Sequence, residues 1–143
     1  AERLLLAAHN YAGRDGTTFS VLRCGNFAYS RGSVIPLWNS LIQAGATELP
    51  VTDPDCTRFW MSEEEAVDHA EKALNGPAGV FWPVLRAYRV GDLATAYGLP
   101  MRIVGLREGE KLHEEMEPGL SSADAPRLSV GELRGLVSYA EAA

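Results

Sequence analysis

Residues 19–45 read FSVLRCGNFAYSRGSVIPLWNSLIQAG, and this stretch decides the fold class. Phe19 to Arg23 is a short strand-like run, set off by the polar turn Arg14-Asp15-Gly16 before it. A glycine-containing loop follows from Gly25 to Gly32. Ser33 is placed to cap a helix, and Pro36 sits in its first turn, where a missing N–H costs nothing. Leu37, Leu41 and Ile42 then line one side, and Gly45 ends the run. Strand, loop and helix in succession form the unit of an α/β protein.

The same alternation extends both ways. Upstream, Leu4, Leu5, Ala8 and Tyr11–Ala12 follow helical spacing, with Gly13 placed as the residue after the C-cap. No capping residue precedes them, the expected look of a sequence cut from something longer. Downstream, Glu48 to Thr52 predicts a strand. Ser62 with Glu65 three residues on is a capping box, opening a helix with Ala66, Val67, Ala70, Ala73 and Leu74 on one side. Gly79 to Val84 predicts a strand confined to an edge or end by Pro83. Val90 to Tyr97 predicts a short helix, Met101 to Leu106 a strand, Glu108 to Met116 a helix, and Pro118 to Pro126 a loop. Ser129 with Glu132 is a second capping box before a last helix carrying Leu133, Leu136, Val137 and Ala140.

Composition excludes several classes of function. The chain has 143 residues, 46% hydrophobic and 22% charged, which suits roughly one globular domain. A formal net charge of −6 argues against a nucleic-acid surface, which needs a basic patch. No apolar run approaches the roughly 20 residues that span a bilayer, and no signal-peptide pattern is present. Cys24 and Cys56 have neither zinc-ligand spacing nor disulfide density, so both read as buried thiols in a reducing, cytoplasmic setting.

The chain's own motifs exclude more. No glycine pair two apart is followed by a third glycine three further on, so no dinucleotide-binding turn is present. None of the five tyrosines has a lysine four residues later, the pair that would lower a phenol's pKa for proton transfer. There is no GxSxG elbow, no HExxH and no phosphate-cradling Walker loop. His9, His69 and His113 are scattered singly and read as surface or capping residues. Glu63, Glu64 and Glu65 read as a solvated helix N-terminus that favours negative charge.

Three arginines remain. Arg31 lies in the loop before a helix, Arg58 precedes a capped helix, and Arg107 closes a strand. A guanidinium fork suits phosphate oxygens, and three in an acidic chain would make a local anion site. Taken singly, each reads more readily as a surface salt bridge.

The segments around them carry a resemblance. RCGNFAYSRGSVIP (23–36), TDPDCTRFWMS (52–62) and GLREGEKLHEE (105–115) are similar to the C-terminal half of inverting UDP-N-acetylglucosamine 4,6-dehydratases. These are polysaccharide-biosynthesis members of the extended short-chain dehydrogenase/reductases. The order of the motifs is the family's, and the resemblance runs from Ala1 to about Arg127. It implies the C-terminal portion of an extended Rossmann-type fold, with residues 1–32 a remnant of the Rossmann domain and residues 33–143 a small substrate-binding domain.

The resemblance also implies roles. Asn26 matches the Asn that hydrogen-bonds substrate, and Val34 and Thr52 match positions near the sugar nucleotide. Arg58 and Arg107 match arginines that hold the UDP diphosphate. Phe27, Ala28, Tyr29, Ser30 and Arg31 match the loop beside the nicotinamide of NADP or NAD. No position matches a proton-transfer residue. The implied reaction oxidises C4 of the sugar with NAD(P)⁺, loses water across C5–C6 and returns hydride to C6, giving a 4-keto-6-deoxy sugar. Cys24 stands where the family has Tyr, Tyr29 where it has Gly, and Glu108 where it has Pro; Tyr29 is expected to crowd the nicotinamide loop. The expected partners are a UDP-sugar, an N-terminal Rossmann half and further copies in a homo-oligomer. The alternatives are a non-enzymatic UDP-sugar-binding module or pseudo-enzyme, and a UDP-sugar 4-epimerase or 5,6-dehydratase of the same superfamily.

Overall fold

The computed structural model of the chain describes residues 2–12 and 16–140. In chain order its elements are helix α1 (Glu2–Ala8), followed by a 3-10 turn (His9–Tyr11), then strands β1 (Ser20–Leu22) and β2 (Asn26–Phe27). Helix α2 (Val34–Gln43), strands β3 (Leu49–Val51) and β4 (Thr57–Met61), and helix α3 (Glu63–Asn75) follow. Strands β5 (Gly79–Phe81) and β6 (Ala87–Arg89) lead to helix α4 (Val90–Tyr97). Strands β7 (Met101–Ile103), β8 (Glu115–Glu117) and β9 (Leu120–Ser121) precede helix α5 (Val130–Ala140). These elements form two compact units: Ala1–Cys24 with Ser62–Val84, and Gly25–Met61 with Leu85–Ala143.

In the smaller unit β1 and β5 pair in parallel, from Ser20 opposite Gly79 to Leu22 opposite Phe81, with α1 and α3 against β1. Pro83 lies beyond β5, which stops at Phe81 rather than Val84. Helix α3 starts where the capping box places it. The Ser62 hydroxyl accepts from the Glu65 N–H at 3.1 Å, and the Glu65 carboxylate accepts from the Ser62 N–H at 2.8 Å. The Arg23 side chain pairs with both Glu2 carboxylate oxygens at 2.8 Å. Gly13, expected to end the first helix, lies outside the described residues.

The larger unit holds the main core. Strand β4 is the centre of a three-stranded sheet, parallel to β2 and antiparallel to β6. Because it is covered on both faces, all five of its residues are buried, and its sequence shows no alternation. Strands β3 and β7 form a parallel pair. Helix α2 turns Ile35 and Trp38 into the core. The Trp38 indole donates to the Pro50 carbonyl at 3.0 Å, and its ring meets Tyr97 edge-on at 5.6 Å. Helix α4 ends at Gly98, whose φ of 75° is the left-handed conformation a C-terminal glycine supplies. It packs on α5, where Leu93 and Leu133 are fully buried.

Several sequence expectations need correction. Residues 108–116 form no helix. The apolar pair Leu112 and Met116 imitates helical spacing, but Gly109 has φ 79° and the backbone is taken by β4: the Thr57 N–H donates to Leu112 O at 2.9 Å. The segment ends in β8, which pairs with β9 inside the expected 118–126 loop. Strand β2 lies inside the expected loop at 25–32, while β4 and β6 were not foreseen as strands. Ser33 occupies the N-cap of α2 without capping it, because its hydroxyl donates instead to Ala28 O at 3.1 Å. Cys56 is buried as expected, but Cys24 is exposed. The second capping box is present, with Ser129 N–H to Glu132 Oε2 at 2.9 Å and Glu132 N–H to Ser129 Oγ at 3.3 Å.

Candidate functional site

A cleft of about 500 Å³ opens within the larger unit. That is the size range of small-molecule sites. Its wall comes from the end of β2, the start of α2, strands β3, β4 and β6, and the 104–110 segment. Of the residues expected at the sugar nucleotide, all five line it: Asn26, Val34, Thr52, Arg58 and Arg107. Of those expected at the cofactor, Phe27 and Ala28 line it, while Tyr29, Ser30 and Arg31 do not. The Tyr29 hydroxyl donates to the Leu136 carbonyl at 2.7 Å, which ties the ring to α5 rather than to the cleft. Arg31 is exposed, so the cleft gathers two of the three arginines.

Arg58 is the unusual side chain. It is 9% exposed, on the buried central strand. Its guanidinium donates to the carbonyls of Thr57 at 2.8 Å and Leu112 at 3.2 Å. It also pairs with Glu110 at 3.2 Å and Glu114 at 3.6 Å. A buried charge requires this kind of compensation. The partners fix the fork's orientation, so it needs little ordering to meet an anion.

Glu110 ties the site together, and the sequence had not singled it out. One carboxylate oxygen accepts from the Thr52 hydroxyl at 3.2 Å as well as from Arg58. The other accepts from the Arg107 backbone N–H at 3.2 Å. This holds the 107–110 turn against β3 and β4. The Arg107 guanidinium is exposed and makes no ion pair among the described residues. Below the turn, the buried Thr57 and Ser122 hydroxyls meet at 2.7 Å, and Thr57 also meets His113 Nδ1 at 2.8 Å. His113 is therefore a structural fastener rather than a surface residue.

The remaining wall is mostly apolar: Leu37, Trp38, Val51, Val90 and Val104, with Tyr88 beside Arg58. Burial pushes the Tyr88 phenol up to about 12, against a smaller opposite pull from the Arg58 charge. The start of α2 also faces the cleft through Ser33 and Val34, and helix N-termini favour anions. Among the described residues no group of His, Cys, Asp and Glu could hold a metal ion, and no helix is long and apolar enough to cross a membrane.

Known proteins are similar to this chain in sequence and in fold. A family model described as polysaccharide biosynthesis protein matches residues 1–128. A UDP-N-acetylglucosamine 4,6-dehydratase (inverting) from Campylobacter jejuni is 43% identical over 129 residues, covering 87% of this chain and 38% of that protein. A UDP-glucose 4-epimerase from Rickettsia bellii is 36% identical over 135 residues, covering 89% of this chain and 39% of that protein. The chain therefore spans well under half the length of these curated relatives. The crystal structure of Pen from Bacillus thuringiensis superposes with a TM-score of 0.83 at 27% identity, covering 96% of this chain and 54% of that one. A dTDP-glucose 4,6-dehydratase from Streptomyces venezuelae, solved with NAD bound, has a TM-score of 0.71 at 20% identity, covering 99% and 48%. That last likeness speaks to fold alone. With an α/β architecture matching about half of each solved neighbour, and a family model spanning most of the sequence, the chain belongs to the polysaccharide biosynthesis protein family, with the fold of the C-terminal portion of an extended short-chain dehydrogenase/reductase.

Proposed function

We propose that the cleft binds a UDP-sugar and that this chain is the sugar-nucleotide-holding part of a UDP-N-acetylglucosamine 4,6-dehydratase (inverting) in surface polysaccharide or glycan biosynthesis. The observation that carries this reading is that Arg58 and Arg107 line one cleft together with the N-terminus of a helix. Two guanidinium forks and a helix dipole suit a diphosphate. Residues 1–32 then belong to the cofactor-binding body and residues 33–143 to the substrate side. A cytoplasmic setting, an N-terminal Rossmann half and homo-oligomeric association belong to the same reading.

The nicotinamide cofactor finds only a partial fit. Phe27 and Ala28 offer it a wall, while Tyr29, Ser30 and Arg31 lie outside the cleft lining and the sequence holds no glycine-rich turn for its pyrophosphate. NAD or NADP, when bound, would supply the hydride exchange of such a reaction. The residues of this chain hold and orient the diphosphate, which places the sugar. None of them is assigned to proton transfer.

The reading is tested by calorimetry with UDP. Micromolar binding that Arg58→Ala and Arg107→Ala each weaken about tenfold or more supports it, and no heat of binding refutes it. Incubation of this chain alone with UDP-N-acetylglucosamine and NADP⁺ is expected to give no 4-keto product, because the Tyr–Lys pair is absent from its sequence. The second reading is a non-enzymatic UDP-sugar-binding module. It predicts the same binding, with no dehydration when an N-terminal half from a relative is supplied. Restored dehydration favours the dehydratase reading over a UDP-sugar 4-epimerase or 5,6-dehydratase.

A further inference from the structure

Tyr88 is buried, polar and unused by the site described so far. It lies opposite Arg58 in the antiparallel register of β4 and β6, so the two side chains share one face of the sheet. Its ring packs edge-on against Trp60 at 5.7 Å, and the residue is only 5% exposed. The hydroxyl makes no hydrogen bond to any described residue. Yet among the described residues no side-chain oxygen or nitrogen fully sealed from solvent lacks a partner. The phenolic oxygen therefore keeps some access to solvent, and Tyr88 is one of the residues that line the cleft.

We propose that the Tyr88 hydroxyl donates a hydrogen bond to the phosphate held by Arg58, as a further ligand-binding residue of the cleft; this rests on the reading of the cleft as a diphosphate site. Three features support a donor role at an anion. The group is a neutral O–H, kept protonated by burial. Arg58, the cation that would draw the phosphate, is its cross-strand neighbour. The wall around it is largely apolar, including Val51 and Val90, and a low local dielectric strengthens a hydrogen bond made there.

The test is calorimetry of the full chain with UDP and, separately, with uridine, which lacks phosphate. Tyr88→Phe keeps the ring against Trp60 and removes only the donor. It is expected to weaken UDP binding about tenfold, the worth of a hydrogen bond to a charged acceptor, and to leave uridine binding unchanged. Tyr88→Met, also without a donor, should show the same selective loss. Unchanged UDP affinity in Tyr88→Phe, beside a wild type that binds UDP and an Arg58→Ala variant that binds it more weakly, overturns this inference and leaves the diphosphate reading standing. An equal loss for UDP and uridine also overturns it, because it assigns Tyr88 to packing alone. A wild-type chain that does not bind UDP overturns both.

Discussion

Replacing Arg58 with Met keeps an unbranched stem in β4 and deletes the guanidinium. The stability cost follows from what the fork touches. It gives up donation to two carbonyls, at 2.8 and 3.2 Å, and ion pairs at 3.2 and 3.6 Å. Two terms offset this loss. The desolvation of a buried charge, several kcal/mol, is no longer incurred. The carboxylates left behind are also only partly buried: the Glu110 side chain is 25% exposed and that of Glu114 is 38%, so water reaches both. The net destabilisation is about 1–2 kcal/mol. Binding has no such offset. One charge-assisted hydrogen bond from the remaining N–H to a phosphate contributes about 1.5–3 kcal/mol, so UDP affinity should fall at least about tenfold. Arg107→Ala is the contrast. Its side chain is exposed and unpaired among the described residues, so stability should move by less than about 0.5 kcal/mol. UDP affinity should still fall about tenfold. Denaturant unfolding and UDP calorimetry on both variants measure the two axes. A folded Arg58→Met that binds UDP within about twofold of wild type refutes the argument, as does an Arg107→Ala that loses as much stability as Arg58→Met.

Gly91 sits in α4, where Ala would normally add about 1 kcal/mol of helix propensity. A Cβ there would stand 2.9 Å from both Cβ and O of Pro54, so Gly91→Ala should instead destabilise by about 1–3 kcal/mol in denaturant unfolding; a gain would show that the two segments separate freely. The Arg86 guanidinium, pairing with both oxygens of Glu132 at 2.6 and 3.0 Å, and then Ser129, hold the Glu132 carboxyl down at about 2 against an ordinary 4.5. Its folded-state value is depressed, so its stabilisation is present above pH 4.5 and is lost as pH falls through about 2. The melting difference between wild type and Glu132→Gln should therefore close on acidification, and a difference independent of pH would contradict the pairing. Cys24 is exposed and Cys56 buried, so a thiol reagent followed by mass spectrometry should label Cys24 in the native protein and Cys56 only on unfolding. The reverse order would contradict the placement of both.

Much of the fold was legible because its signals are short in sequence. The Ser62/Glu65 and Ser129/Glu132 boxes act over three residues, and both open the helices they predict. The Val90–Tyr97 helix has the limits expected from the sequence, and Gly98 ends it in the left-handed conformation. The 108–116 segment failed for the opposite reason. Its local spacing suggests a helix, but its backbone hydrogen bonds are claimed by β4, a competitor no local pattern reveals. Strand β4 itself was hidden because burial on both faces erases the alternation that marks a strand. Asn26, Val34, Thr52, Arg58 and Arg107 all line one cleft, and Tyr29, Ser30 and Arg31 lie outside its lining. For Tyr29 the reason is a hydrogen bond to α5, 107 residues away in sequence, which ties down its ring.

By itself, then, the sequence determined the α/β class, the helices with capped ends, the absence of a Gly-rich turn and a Tyr–Lys pair, and the candidate arginines. Those properties live in residue identity and in spacings of a few positions. Tertiary structure alone decided that Arg58 is a buried, carboxylate-braced side chain while Arg107 is exposed, that Arg31 takes no part in the cleft, and that Tyr88 stands beside Arg58. The physical reason is separation along the chain: Glu110 lies 52 residues from Arg58, and strand pairing and burial set the distance between such groups.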